Sequence, residues 1–120
     1  MAARRWPGGE TARMDLNAWQ DRLDAFAAER GWQPYLNPKN IAMALSVEAA
    51  ELVELYQWAS PEEAATFGRT EPVQREKVAD ELADVLLYLL QMARATGIDL
   101  EAATEAKFAK NALKYPVAKA

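Results

Sequence analysis

Two short-range pairs of carboxylates stand out, Glu48-Ala-Ala-Glu51 and Glu81-Leu-Ala-Asp84. On a helix, a three-residue step turns side chains by about 60°, so each pair projects from one face. If the two helices pack antiparallel with those faces opposed, four carboxylates converge. Anions held that close repel one another, and a bound cation is the natural resolution. Donor sets made only of oxygen favour a hard ion, Mg²⁺ or Mn²⁺. The competing reading is solvated charge on two helix faces, which the same spacing produces in any Glu-rich helical chain.

The rest of the composition narrows the chemistry. The 120 residues include no histidine and no cysteine. Disulfide scaffolds, imidazole or thiolate metal sites, and Ser-His or Cys-His nucleophile pairs are therefore excluded. Ferritin-like di-iron bundles, which need Glu-x-x-His pairs, fall with them. Serine occurs only at positions 46 and 60. Hydrolysis by this chain must rest on carboxylates, a metal, or both.

A net charge of −4 argues against a partner that is a nucleic acid polymer. Charge is also unevenly distributed: Asn40 to Gly68 holds five acidic residues and no Lys or Arg, whereas the chain's end carries Lys107, Lys110, Lys114 and Lys119. Such a distribution suits a metal in the middle and a phosphate near the end. The longest apolar run, Val85 to Leu90, is far short of the ~20 residues that span a bilayer. Arg4-Arg5 is not followed by a signal-like apolar stretch. The expected location is cytoplasmic, with no membrane partner.

Hydrophobic content of 51% and charged content of 27% suit a single globular domain. Residues 1–14 read as a loose extension interrupted by Pro7-Gly8-Gly9, residues 15–116 as the domain, and residues 117–120 as a tail. The first helix is expected from Asp15, its cap, to Arg30, with Gly31 as the stop and Leu16, Trp19, Leu23 and Phe26 as its apolar stripe. Asn37-Pro38 opens a second helix running to about Trp58, with Ile41, Leu45, Leu52 and Leu55 as buried candidates. Ser60-Pro-Glu-Glu63 is a capping box for a short helix ending near Gly68. Thr70 is the expected cap of a long helix reaching about Ala95, and Asp99 caps the last, which Pro116 helps to end. No alternation of strand type appears. The expected fold is all-α, a four-helix bundle with one short connecting helix.

The residues around the carboxylates carry a more specific signal. Trp32-Gln-Pro-Tyr-Leu-Asn-Pro-Lys-Asn40 and Ala44-Leu-Ser-Val-Glu-Ala-Ala-Glu-Leu-Val-Glu-Leu-Tyr-Gln-Trp58 resemble the MazG-like all-α NTP pyrophosphatases, closest to the dCTP pyrophosphatase branch. Glu81-Leu-Ala-Asp-Val-Leu-Leu-Tyr88 looks like that family's second metal motif, and Lys107-x3-Asn111-x3-Tyr115-Pro116 its C-terminal signature. The resemblance covers about Asp15 to Pro116. It implies that Glu48, Glu51, Glu81 and Asp84 bind Mg²⁺ (Mn²⁺ as the alternative), which holds a nucleoside triphosphate for attack by a metal-activated water on the α-phosphorus. The implied products are a nucleoside monophosphate and pyrophosphate. Glu48 or Glu51 would accept a proton. Lys107 would meet phosphate charge, Asn111 and Tyr115 would supply hydrogen bonds, Tyr88 would pack against the sugar, and Trp32 and Trp58 would stack on the base.

Three positions depart from the pattern. Val47 stands where the broader family often has a first glutamate, a change that the dCTP-type branch tolerates; Lys39 replaces a common arginine; and Leu23 falls where some dCTP-type members carry a base-contacting histidine. The expected substrate is a pyrimidine deoxynucleoside triphosphate, dCTP or a C5-modified relative, with dUTP or a broader set as the alternative. A non-catalytic helical module offering its acidic face to a partner is the reading from another class. The resemblance also implies a homodimer or homotetramer and a role in nucleotide-pool sanitation.

Overall fold

The computed structural model describes residues 13–118. Most of the expected N-terminal extension and Lys119 in the tail lie outside the described residues. Within them the chain forms five α-helices and one 3-10 turn, with no strand. The fold is therefore all-α, as the periodicity predicts. The helices are α1 (Leu16–Glu29), α2 (Pro38–Glu54), α3 (Pro61–Thr66), α4 (Pro72–Thr96) and α5 (Leu100–Lys114), and the 3-10 turn, Gln33–Tyr35, follows α1.

Local chemistry sets these boundaries. Asp15 caps α1 by accepting from the Ala18 N–H at 3.1 Å, Asn37 caps α2 through the Asn40 N–H, and Asp99 caps α5 through the Ala102 N–H. The capping box at α3 is complete, with Ser60 and Glu63 each accepting from the other's backbone N–H at 3.1 Å. Helix α4 differs from expectation. Its cap is Glu71, not Thr70, and the Glu71 carboxylate takes both the Val73 and Gln74 N–H groups. A side chain one methylene longer than aspartate reaches two orphan donors at once, which a threonine hydroxyl does not. Helix α2 also ends earlier than expected, at Glu54 and not near Trp58. Leu55 and Tyr56 bond back only three residues, to Leu52 and Val53, tightening the chain into turns.

Helices α1 and α4 both end at a glycine with positive φ, Gly31 at 68° and Gly97 at 71°. In each, the residue after the glycine bonds back across the turn: Trp32 N–H to the Ala27 carbonyl and Ile98 N–H to the Ala93 carbonyl, both at 2.9 Å. The first of these places Trp32 beside the end of α1.

Packing centres on α2 against α4, with α1 laid on α4. Among the described residues the buried apolar side chains are Ala27, Ile41, Leu90 and Ala93. The expected stripe on α1 is only partly inward: Leu16, Trp19 and Leu23 are part-buried, but Phe26 is 46% exposed. The deepest residues of α1 are instead Gln20 and Ala27. Ala27 lets the helices approach closely, and the Gln20 Nε2 donates to the Leu90 carbonyl at 2.9 Å. Arg94 reinforces the same junction, reaching Asp24 at 2.7 Å and Asp21 at 3.1 Å. A buried polar side chain with a satisfied amide escapes a hydrophobic-stripe reading, because periodicity counts only apolar positions. Helix α5 lies outside this packing, with Phe108 75% and Leu113 85% exposed.

Candidate metal centre

The α2–α4 contact brings the carboxylates together. Glu48, Glu51 and Glu81 each offer an oxygen such that the three atoms lie within 4.8 Å of one another, a group that can hold a metal ion. Asp84, one turn further along α4, is near enough to repel both Glu48 and Glu81. Glu48 and Glu51 meet Glu81 across the α2–α4 interface, and Asp84 lies outside this three-oxygen group.

The cluster is only part-buried, yet one carboxylate oxygen of Glu48 and one of Glu81 are sealed from solvent with no hydrogen-bond partner. Sealed, unpaired carboxylate oxygens cost free energy. The Glu48 pKa rises from 4.5 to about 7, first because burial penalises the charged form, then through its contact with and repulsion from Glu51, with Glu81 and Asp84 adding to it. Glu81 is also pushed up, first by burial, against a lowering contact from Glu48, with contact with and repulsion from Glu51 and repulsion from Asp84 adding to the rise. Both shifts have the same physical cause: carboxylates buried and crowded together favour their neutral forms. The all-oxygen donor set, the two orphaned oxygens and this proton affinity fit a hard divalent cation.

A consequence for stability follows. With Glu48 titrating near 7 in the folded state and near 4.5 when unfolded, the folded protein binds the extra proton between those values. Stability from this group is complete below pH 4.5 and is lost as pH rises through about 7. Measured against a Glu48→Gln reference, the metal-free protein should lose stability from pH 5 to pH 8 in thermal melts. Adding Mg²⁺ should flatten that slope, since the cation replaces the proton. An identical pH dependence in both proteins would contradict the assignment.

The other expected site residues are dispersed. Tyr88 is part-buried on α4, one turn beyond Asp84. Trp32 is 48% exposed and meets the Phe26 ring edge-on at 5.7 Å. Trp58 is 90% exposed in the turns after α2. Lys107, Asn111 and Tyr115 lie along α5 and at its end, outside the α2–α4 packing, with Asn111 part-buried and the other two exposed. Tertiary packing within one chain thus gathers the carboxylates but does not gather the aromatic and α5 residues around them. A residue that no motif singles out is Gln91 on α4, whose Oε1 is also sealed without a partner. The signal for it in the sequence is slight: one amide directly after the apolar run Val85 to Leu90.

Residues 43–120 match the model of the MazG-like family, a span that includes both carboxylate pairs. The chain belongs to the MazG-like family. This MazG-like chain is 41% identical over 97 residues to dCTP pyrophosphatase 1 of Rattus norvegicus, covering 80% of this chain and 56% of that protein. It is likewise 41% identical over 96 residues to dCTP pyrophosphatase 1 of Homo sapiens, covering 79% and 56%. The chain therefore spans little more than half the length of the curated relatives it matches. Among solved structures, a pyrophosphatase from Archaeoglobus fulgidus superposes with a TM-score of 0.75 at 36% identity, covering 90% of this chain and 98% of that one. The likeness to that structure extends over almost the whole MazG-like fold described here. Among the described residues, no helix is long and apolar enough to cross a membrane.

Proposed function

We propose that this chain is a Mg²⁺-dependent nucleoside triphosphate pyrophosphohydrolase that converts a pyrimidine deoxynucleoside triphosphate, dCTP or a C5-modified relative, to the monophosphate and pyrophosphate. The observation that carries this reading is the carboxylate cluster on facing helices with two sealed, unpartnered oxygens. The names of the relatives, dCTP pyrophosphatase and pyrophosphatase, support the reaction class.

Glu48, Glu51, Glu81 and Asp84 would hold the ion. When bound, it offsets phosphate charge and acidifies water. The residues do the rest. Water oxygen forms a bond to the α-phosphorus, the α–β phosphoanhydride breaks, and pyrophosphate leaves. Glu48 or Glu51 accepts the proton released by the water. Lys107 meets phosphate charge, Asn111 and Tyr115 donate hydrogen bonds, Tyr88 packs on the sugar, and Trp32 and Trp58 stack on the base. Removing such triphosphates before polymerases use them would serve nucleotide-pool sanitation, in the cytoplasm.

A homodimer or homotetramer is part of the proposal. Four buried apolar residues among those described make a small core for so many helical faces. Trp58, Phe108 and Leu113 are left open on the single chain, at 90%, 75% and 85% exposure. A second copy would cover such surfaces.

Leu23 presents an apolar side chain where a polar base contact would favour cytosine, and this observation supports dUTP or a broader set as the second reading. Pyrophosphate release should be assayed over all common and C5-modified triphosphates with Mg²⁺ or Mn²⁺, beside light scattering for mass. Fastest turnover on dCTP or a C5-modified dCTP, from a particle two or four times the 13.4 kDa chain, is the expected result. Absence of metal-dependent pyrophosphate release from every triphosphate would instead favour a non-catalytic interaction module.

A further inference from the structure

The carboxylate cluster lies between two fixed points on the α2–α4 pair. The first is the buried end of the pair. Ile41 on α2 and Leu90 on α4 are the large side chains buried fully among the described residues. They stand seven residues before Glu48 and six after Asp84. The second fixed point is polar and lies on the other side of the carboxylates, around the Gly68 peptide that precedes α4.

Side chains from the ends of both helices take the backbone groups of residues 67–69. The Tyr56 hydroxyl, just past the end of α2, donates to the Phe67 carbonyl at 3.0 Å, and the two rings meet edge-on at 5.2 Å. From the first turn of α4, the Gln74 Oε1 accepts from the Gly68 N–H at 3.2 Å. The Arg75 guanidinium donates to the Gly68 carbonyl at 3.4 Å and to the Arg69 carbonyl at 2.7 Å. Gly68 has a φ of 85°, and a Cβ there would lie 2.8 Å from the Val78 Cγ2 and 3.2 Å from the Tyr56 hydroxyl. Only glycine allows both that conformation and that approach.

This clasp is close to the carboxylates. Tyr56 follows Glu51 by five residues, and Gln74, Val78 and Glu81 share one face of α4 at steps of four and three. Val78 is therefore about 4.5 Å from Glu81 along the helix axis. Leu52, Leu55 and Val78 are only part-buried, so apolar packing holds this end less firmly than the end with Ile41 and Leu90. Two helices pinned at one place can still pivot and slide. Pinned on both sides of the carboxylates, they hold them within the ~0.5 Å that a binding site demands. The same clasp anchors the turn carrying Trp58, which the Ala59 N–H closes on the Tyr56 carbonyl at 2.9 Å.

We propose that the clasp at Gly68 sets the register of α2 on α4, and that Tyr56 and Gln74 are positioning residues for the metal centre. The assignment rests on the proposed role of Glu48, Glu51, Glu81 and Asp84 as metal ligands. Neither residue touches the ion; each acts by fixing where the helix that carries the ligands lies.

The test reads register and metal affinity without turnover. The chain has no cysteine, so spin labels at Glu54→Cys on α2 and Glu76→Cys on α4, both exposed positions, report one distance when labelled chains are diluted with unlabelled ones. Tyr56→Phe keeps the ring and loses the hydroxyl, and Gln74→Met keeps the shape and loses the acceptor. Together they should shift or broaden the label distance by about 1.5 Å or more, the rise of one residue. The dissociation constant for Mn²⁺ alone, measured on unlabelled protein, should rise about tenfold or more. Exchanging Gln74→Met for Gln74→Glu returns an acceptor to the Gly68 N–H and should recover most of both effects. Should the pair of substitutions prevent folding, each single variant carries the same two measurements. Unchanged Mn²⁺ affinity in the folded variants would overturn the positioning role, whatever their melting temperatures. If wild type binds no Mn²⁺, the metal reading fails by itself. The label distance then decides the clasp: a shift upholds its control of register, and an unchanged distance overturns it.

Discussion

Glu48→Gln is expected to lower Mg²⁺-dependent pyrophosphate release by about a hundredfold or more, while raising the melting temperature of the metal-free protein at pH 8. The two effects come from the same crowding. Glu48, Glu51 and Glu81 bring oxygens within 4.8 Å of one another, and Asp84 adds repulsion from the next turn. Replacing the Glu48 carboxylate by an amide of the same shape removes one charge from a cluster that already drives its pKa to about 7. Relief of burial and repulsion stabilises the empty fold, and loss of an anionic oxygen weakens the hold on a cation and removes one candidate proton acceptor. Glu54→Gln is the control, because Glu54 is exposed at the end of α2 and outside the cluster. Pyrophosphate assays and melts with and without Mg²⁺ measure both arms. Full activity in Glu48→Gln would remove Glu48 from the catalytic centre, and a lower melting temperature would contradict the crowding argument.

Leu90→Ala is expected to cost about 3 kcal/mol of stability, with a melting temperature lower by about 10 °C or more. Leu90 is 1% exposed, and the buried apolar set that it shares with Ile41 includes otherwise only Ala27 and Ala93. Two alanines contribute little volume, so truncating Leu90 removes much of the large-side-chain packing between the helices. The hydrogen bond that the Gln20 side-chain amide donates to the Leu90 backbone carbonyl does not involve the Leu90 side chain, so the loss is isolated to packing. Leu90 lies on α4 between the carboxylates and Gln91, so a cavity there should also loosen the register of the two helices. Denaturant and thermal unfolding measure the cost. A change below about 1 kcal/mol would mean that the core lies elsewhere, for instance in surfaces shared between copies.

Local features were legible in the sequence wherever the physics is local. Asp15, Asn37, Ser60 with Glu63, and Asp99 cap the helices they were expected to cap, because a side-chain oxygen reaching an N–H two or three residues ahead needs no tertiary partner. Gly31 and Gly97 end helices for an equally local reason, since positive φ favours glycine. The all-α class followed from the same periodicity. The carboxylate pairs were legible as pairs, because a three-residue step always shares a helix face.

Only tertiary structure decided what those pairs meet. That Glu48 and Glu51 lie opposite Glu81 depends on how α2 and α4 slide past each other, which no spacing within either helix specifies. Tertiary packing likewise turned Phe26 outward and Gln20 inward, because a buried amide that finds the Leu90 carbonyl is tolerated where an apolar stripe would place a ring. It also left Gln91 beside a cavity without a partner, and α5 outside the packing of α1, α2 and α4. Residue types and short spacings determined which groups this protein has available for chemistry. The register of two packed helices, a long-range property set by side-chain fit, decided which of them stand together.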